Sequence, residues 1–296
     1  MIVTIQDKMG NSASIQTLGA ELKSYRVNGT EYIWQGSPHF WSESAPFLFP
    51  IASNVRNDTV YIEGKPYHMP MHGFAKNLEW TLSEQQENCA VFILQETPET
   101  LQSYPFRFLL TATYSIQDGI LNLTIKVCNQ DNRQMPYCFG THPAFCVPFD
   151  PKFGSKFTDY QIVFDKEEEN SSPLYDGTAR QIDIAKRESF LESDNRTLSL
   201  NYETFQRVDT ILFDRMNSRR ADLVDTVTGR KLTLEYPDFG YCAIWTTPGA
   251  PYVCIEPWQG LSTCSDEDDQ FISKRGVKCL NPGEAEEYIL RFSVTE

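Results

Sequence analysis

The sequence is short of histidine, of cationic side chains and of long apolar runs, and each shortage excludes something. Four histidines, His39, His68, His72 and His142, are all that 296 residues supply, so any imidazole chemistry is confined to them. Lysine and arginine together number 26 against 40 acidic residues, a net charge of −14. Such a chain repels polyanions, which argues against nucleic acid or an anionic membrane surface as a general partner. No apolar stretch approaches the ~20 residues that a membrane-spanning helix needs. The start, Met1-Ile2-Val3-Thr4-Ile5-Gln6-Asp7, reads as an immediate strand and lacks the basic start and apolar block of a signal peptide. A cytoplasmic location is therefore expected, where the eight cysteines are reduced. No C-x-x-C pair occurs, which disfavours a zinc ribbon or a thioredoxin-type site. Cys128, Cys138, Cys242 and Cys254 lie in apolar runs and read as small buried hydrophobes. A G-x-S-x-G nucleophile elbow and a phosphate-cradling glycine loop are missing as well.

What the chain has in abundance is strand signal. Segments 2–6, 13–17, 20–27, 108–116 and 121–130 are short, alternating or β-branched, and separated by turn residues. Asp118-Gly119 marks the clearest hairpin, and Glu63-Gly64 marks another between 59–62 and 65–69. Further strands are expected at 90–95, 161–165, 197–201, 208–214, 221–227, 231–236, 241–246, 252–256 and 287–294. A short helix is expected near 98–103. The stretch from Phe40-Trp41 to Ile51 is aromatic and broken by Pro46 and Pro50, so it reads as an irregular lining segment under a pocket or core edge. The run 166–172 reads as a solvated loop. The acidic cluster 266–269 reads as a helix N-terminal cluster, because it lacks the alternating ligands and central glycine of a calcium loop. Roughly eighteen to twenty strands and almost no amphipathic helix, with no linker-like shift in composition, predict a single large antiparallel β-sandwich over residues 1–296.

The chemistry-bearing residues gather in few places. In Phe139-Gly140-Thr141-His142-Pro143-Ala144-Phe145 a histidine stands just before a proline that cannot donate to a ladder, so a strand bends or stops there. The ring is either a core histidine satisfied by neighbours or one tipped toward an opening. His72 lies beside a glycine and an aromatic in Met71-His72-Gly73-Phe74. In Val253-Cys254-Ile255-Glu256, alternation places Cys254 and Glu256 on one face. Glu256 then closes an apolar strand just before Pro257-Trp258. It is either a strand-end carboxylate facing water or one held at a pocket mouth, with Trp258 offering a flat face to a ligand. Zinc ligation by His72, His142 and Glu256 is chemically open, but no ligand spacing supports it, and no metal is expected.

Taken together, these pieces resemble the aldose 1-epimerase (galactose mutarotase-like) superfamily, and most closely its LacX-like branch. The matching pieces are Phe49-Pro50-Ile51 leading to Arg56, the Tyr61…Gly64-Lys65…Tyr67 hairpin, and His72-Gly73-Phe74-Ala75 followed by Trp80. Gly140-Thr141-His142-Pro143-Ala144-Phe145, Ile255-Glu256-Pro257-Trp258-Gln259-Gly260 and Leu280-Asn281-Pro282-Gly283-Glu284 complete them in the family's order. The resemblance implies a large antiparallel β-sandwich and a mutarotase that interconverts the α and β anomers of an aldohexose or related sugar. It further implies Glu256 as the general base on the anomeric hydroxyl and His142 as the general acid on the ring oxygen. His72 would be a second histidine near that oxygen, Arg56 a substrate-orienting cation, and Asp209 either a substrate-binding acid or an exposed turn residue. Histidine titrates near neutral pH and a desolvated glutamate can be brought there, so a reversible isomerase of this kind needs no cofactor. Two positions depart from the pattern: Val55 replaces a glycine before Arg56, and Leu261-Ser262-Thr263-Cys264 stands where an aspartate is usual. Both leave the acid–base pair intact and bear on which sugar is bound. The rival readings are a hexose-phosphate epimerase, a catalytically silent carbohydrate-binding protein, and a β-sandwich with unrelated structural histidines. The oligomeric state is left open.

Overall fold

The computed structural model describes residues 1–295. Its backbone is a large antiparallel β-sandwich. A nine-stranded sheet runs in the order 197–199, 160–164, 220–225, 231–235, 285–295, 120–129, 108–117, 89–95 and 81–85. Facing it is a sheet ordered 210–213, 241–245, 252–259, 139–141 and 47–48, with Ala144–Cys146 also paired to the 252–259 strand. Strands 2–6, 12–16, 21–27 and 30–31 form a smaller sheet at the N-terminus. One apolar core runs through the molecule from Val3 to Phe292. Each large aliphatic or aromatic side chain it buries contributes about 1.5–3 kcal/mol relative to exposure.

The strands follow from local pattern. Phe108–Gln117 alternates buried and half-buried positions along its whole length and pairs without slippage to Ile120–Asn129. Asp118 and Gly119 both take positive φ, 51° and 76°, the geometry a tight two-residue hairpin requires. By contrast, every residue of Tyr252–Gln259 is buried, because this strand is covered on both faces.

Several expectations are corrected. The strand expected at 208–214 is present as Thr210–Phe213, but the short helix Tyr202–Val208 just before it was not expected. Asn201 caps that helix by accepting from the Thr204 N–H, and Phe205 and Val208 face inward. The polar region after 166 is not simply a solvated loop. Glu168 is buried and accepts from the N–H groups of Asn217 and Ser218, both at 2.7 Å. Beyond it, Ser172–Asp176 and Gln181–Glu188 form a separate hairpin. The acidic cluster precedes only a single 3₁₀ turn, Phe271–Ser273, toward which Asp268 accepts from the Gln270 N–H and the Ser273 hydroxyl. Its other members pair with cations: Asp266 with Arg275, Glu267 with Lys274 and Asp269 with Arg56. All eight cysteines are free, and among the described residues no helix is long and apolar enough to cross a membrane.

Candidate active site

Two prolines interrupt the central ladder at the same level. The 252–259 strand pairs Trp258 with Gly140 and Cys254 with Ala144, but between these pairings the ladder is broken. Thr141-His142-Pro143 stands on one side of the gap and Ile255-Glu256-Pro257 on the other, bridged by the Ile255 N–H on the Pro143 carbonyl at 3.2 Å. Neither proline can donate, so the strands part there, and the residue preceding each proline carries the ionisable group. His142 Nε2 lies 3.1 Å from Glu256 Oε2, with the residues 7% and 1% exposed.

His72 is brought to the same place by backbone geometry that only glycine permits next door. His72 and Gly73 both have positive φ. A Cβ on Gly73 would lie 2.0 Å from the Phe49 carbonyl oxygen, so this position tolerates no side chain. The His72 N–H donates to the Ser53 carbonyl at 2.7 Å, and the Ser53 N–H donates back to His72 Nδ1 at 3.0 Å. With Nδ1 accepting, the neutral ring carries its proton on Nε2 and presents a donor. The His72 and His142 rings meet edge to face, 5.5 Å between centroids.

Burial governs the protonation of all three groups. It holds His72 down to about 3, with nearby Lys76 acting in the same direction. His142 is held well below the ordinary imidazole range by burial and then by His72, against an opposing contact with its own main chain. Glu256 is driven well above the carboxylate range by burial and then by the charge of Asp209, with Trp258 partly offsetting. The resting pair is therefore a carboxylic acid beside a neutral imidazole, one proton between two groups. Thr141 Oγ1 and His142 Nδ1 are buried with no hydrogen-bond partner from another residue, while Glu256 Oε2 and Trp258 Nε1 have only the site's own groups, His142 and Glu256, to meet. Buried polar atoms are rarely left so, and their concentration at one point marks a place built to meet a polar ligand.

Beside the pair lies a cavity of about 130 Å³, lined among others by Ser53, Asn54, Asp209, Trp258 and Ser262. His142 and Glu256 do not line it themselves; the links to them run through neighbours. Trp258 is on the same strand face as Glu256, Ser53 is hydrogen-bonded to His72, and Asp209 acts electrostatically on Glu256. The indole of Trp258 is seated by Gly140, where a Cβ would come within 2.8 Å of its Cδ1. Asp209 follows the 202–208 helix at φ 59° and is exposed at the cavity rim. The hairpin 172–188 closes the far wall with Pro173, Tyr175 and Ile182. Arg56 is placed differently from the rest. Its Nη1 meets both Asp269 carboxylate oxygens, at 2.9 and 3.0 Å, and the Glu267 carbonyl, while Nη2 reaches the Cys264 carbonyl, away from the cavity lining. It buttresses the 262–269 loop.

Sequence reasoning passed over Asn54, Trp41 and Trp245. Asn54 Oδ1 accepts from Tyr175 and Ser262 hydroxyls, tying hairpin and loop together. Trp41 lies over the His142 ring at 4.8 Å, with Trp245 edge-on at 5.6 Å. A signal for Trp41 existed, since the aromatic stretch around it read as a pocket lining. A metal would find His142, Cys254 and Glu256 within 4.8 Å of one another. Without a metal, the Cys254 thiol is pushed well above its ordinary range by burial and then by Glu256.

Residues 1–289 match the family described as Aldose 1-epimerase. The chain belongs to the aldose 1-epimerase family. It is 34% identical over 282 residues to plasmid-borne Protein LacX of Lactococcus lactis subsp. lactis, covering 92% of each chain. Among solved structures, a galactose mutarotase related enzyme from Lactobacillus acidophilus matches with a TM-score of 0.92 at 26% identity, over 100% of this chain and 98% of that one. A galactose mutarotase-like protein from Lactobacillus casei matches with a TM-score of 0.90 at 27% identity, over the full length of both. This aldose 1-epimerase family member thus shares the sandwich of its relatives, and its family supports a sugar epimerase or mutarotase role.

Proposed function

We propose that the protein is a mutarotase that interconverts the anomers of an uncharged aldose by opening and reclosing its hemiacetal ring. The observation that carries this reading is the buried contact of His142 and Glu256 at 3.1 Å. A hemiacetal presents its two reacting oxygens on one carbon, so two proton-transfer groups must stand side by side. In the opening step, the pair's proton first passes from Glu256 to His142 across their 3.1 Å contact, and Glu256, now a carboxylate, takes the proton of the anomeric hydroxyl. The C1–ring oxygen bond breaks, and His142 as imidazolium delivers its proton to the departing ring oxygen. An aldehyde is left, with a carboxylic acid and a neutral imidazole. Rotation about C1–C2 exposes the other face. The neutral pair then closes the ring: His142 takes the hydroxyl proton as that oxygen attacks C1, and Glu256 protonates the new anomeric oxygen. Every step conserves the single proton of the pair, so forward and reverse reactions use the same two groups with roles exchanged. His72 Nε2–H is available to donate to the ring oxygen, and Trp258 offers an apolar face to the C–H side of the sugar.

A phosphorylated sugar is disfavoured because, among the described residues, no lysine or arginine lines the cavity. The nearby cations are engaged, Lys76 by Glu43, Arg56 by Asp269 and Arg180 by Asp58. Polarimetry on freshly dissolved α-glucose and α-galactose tests the proposal. Wild type should speed equilibration and Glu256→Gln should return to the buffer rate. Sugar binding without acceleration by the wild type would point instead to a silent carbohydrate-binding protein.

A further inference from the structure

Catalytic imidazoles are commonly oriented through the ring nitrogen that faces away from the chemistry, by a carboxylate or a carbonyl. No other residue supplies such a partner to His142: its buried Nδ1 meets only its own main chain. Its ring plane is set instead by other rings. Trp41 lies over one face, 4.8 Å between centroids and tilted by 33°, while Trp245 and His72 present edges at 5.6 and 5.5 Å. Trp41 and Trp245 also meet each other, nearly perpendicular, at 5.6 Å.

The loop that carries Trp41 is tied down at several points. The Ser37 N–H donates to the Trp41 carbonyl at 2.8 Å, and Trp34 Nε1 donates to the same oxygen at 2.9 Å. Gly36 lies so close to the Ser42 carbonyl that a Cβ would be 2.4 Å from its oxygen. Glu43 pairs with Lys76 at 2.7 Å, joining this loop to the segment that carries His72. A half-buried tryptophan fixed this firmly over an imidazole that no other residue holds at Nδ1 has more to do than cover apolar surface.

We propose that Trp41, braced by Trp245, is the positioning residue of His142, replacing with an aromatic clamp the hydrogen bond that would otherwise orient the ring. The clamp keeps Nε2 directed at Glu256 and, when His142 carries the proton, places an indole face within cation–π range of the imidazolium. This rests on His142 acting in proton transfer as proposed above.

The test compares Trp41→Ala, Trp41→Phe and wild type, with the folded state verified by thermal melts. Should Trp41→Ala fail to fold, Trp41→Leu keeps the apolar bulk while removing the flat face. A misplaced catalytic group costs on the order of 100-fold, so kcat in Trp41→Ala should fall by about that factor with KM little changed. Trp41→Phe should recover most of it. In protein labelled with ¹⁵N- and ¹³C-histidine, the His142 ring signals should broaden or split in Trp41→Ala and stay single and sharp in Trp41→Phe. This readout needs no turnover, so it stands even if no sugar tested is a substrate. A raised KM at unchanged kcat would overturn the proposal, making Trp41 a sugar platform. Sharp, single His142 signals in Trp41→Ala would overturn it as well.

Discussion

The outer hairpin 108–129 and the inner strand pair around His142 and Glu256 are both antiparallel β-structure, yet they are built on opposite rules. In the hairpin, alternate residues point into the core and the ladder runs ten residues without a fault. Its buried polar groups are satisfied, as Tyr114 shows by donating to the Ala20 carbonyl at 2.8 Å. In the inner pair, both faces are covered, two prolines break the ladder, and Thr141 Oγ1 and His142 Nδ1 are buried with no partner from another residue. One region spends its hydrogen bonds on stability. The other withholds them at the one place where a polar ligand would supply the missing partners.

Removing an ionisable group from the broken ladder should give the largest effect. Glu256→Gln and His142→Asn should each lower kcat/KM by roughly 10²- to 10⁴-fold, the range for general acid–base groups. Neither change should unfold the protein, because each removes a buried ionisable group and keeps much of its shape. A comparable exposed-face change in the hairpin, Thr113→Ala, should leave kcat/KM within a factor of two. Progress curves by polarimetry, corrected for the spontaneous reaction, measure both.

This contrast explains what was legible in the sequence. Period-two alternation and Asp118-Gly119 announced the hairpin because each residue there obeys a local rule. Strand 252–259 was placed by its apolar run, but its extension through Pro257 was not, since proline argues against a central strand. His142, Glu256 and Trp258 stood out because they break the local pattern. Arg56 was named through the family resemblance, and only tertiary structure turns its guanidinium onto Asp269. The 172–188 hairpin stayed hidden because a charged run gives no sign that Glu168 finds buried backbone donors. Trp41 reaches His142 across a hundred residues of chain, a pairing no local signal encodes.

The same comparison can be made with two glycines. Gly119 in the outer turn has φ 76°, but a Cβ there would make only ordinary contacts, at 3.4 Å and beyond. Gly119→Ala should therefore cost about 1–2 kcal/mol, the penalty for a left-handed conformation. Gly73 has φ 70° as well, and its Cβ would meet the Phe49 carbonyl at 2.0 Å. Gly73→Ala should cost more, about 3 kcal/mol or above, and lower kcat by displacing His72. Urea unfolding of the two variants measures the difference.

A pH dependence should separate the regions further. For His72 and His142 the folded-state pKa lies below the unfolded value of 6.5. The unfolded chain then binds more protons as pH falls below 6.5, and stability declines toward acid. For Glu256 the folded-state pKa lies above 4.5, so the unfolded chain is the more readily ionised and stability declines as pH rises beyond that value. Glu256→Gln should remove the second decline alone, giving a Tm at pH 8 above that of wild type. Thermal melts from pH 4 to 9 test the sign.

The smallest expected effects lie in the acidic cluster, where two arginine–aspartate pairs at the same 2.9 Å distance should behave differently. Arg275 and Asp266 are both largely exposed, at 40% and 49% of their side chains, so Arg275→Ala should change stability by no more than about 0.5 kcal/mol. Arg56 and Asp269 are more sheltered, and the guanidinium also holds the carbonyls of Cys264 and Glu267. The Arg56 N–H donates to the Thr263 hydroxyl, next to the cavity-lining Ser262. Arg56→Ala should therefore lower stability by about 1–2 kcal/mol, as expected for charge-assisted bonds to a partly buried loop. It should raise KM through the displaced loop. Arg56→Lys separates a buttress from a sugar-orienting cation. It keeps the charge but has no second nitrogen to reach the Cys264 carbonyl while holding Asp269, so a buttress is weakened in Tm and KM together. A raised KM at unchanged Tm would instead place the guanidinium on the sugar and return Arg56 to the role that family resemblance implies.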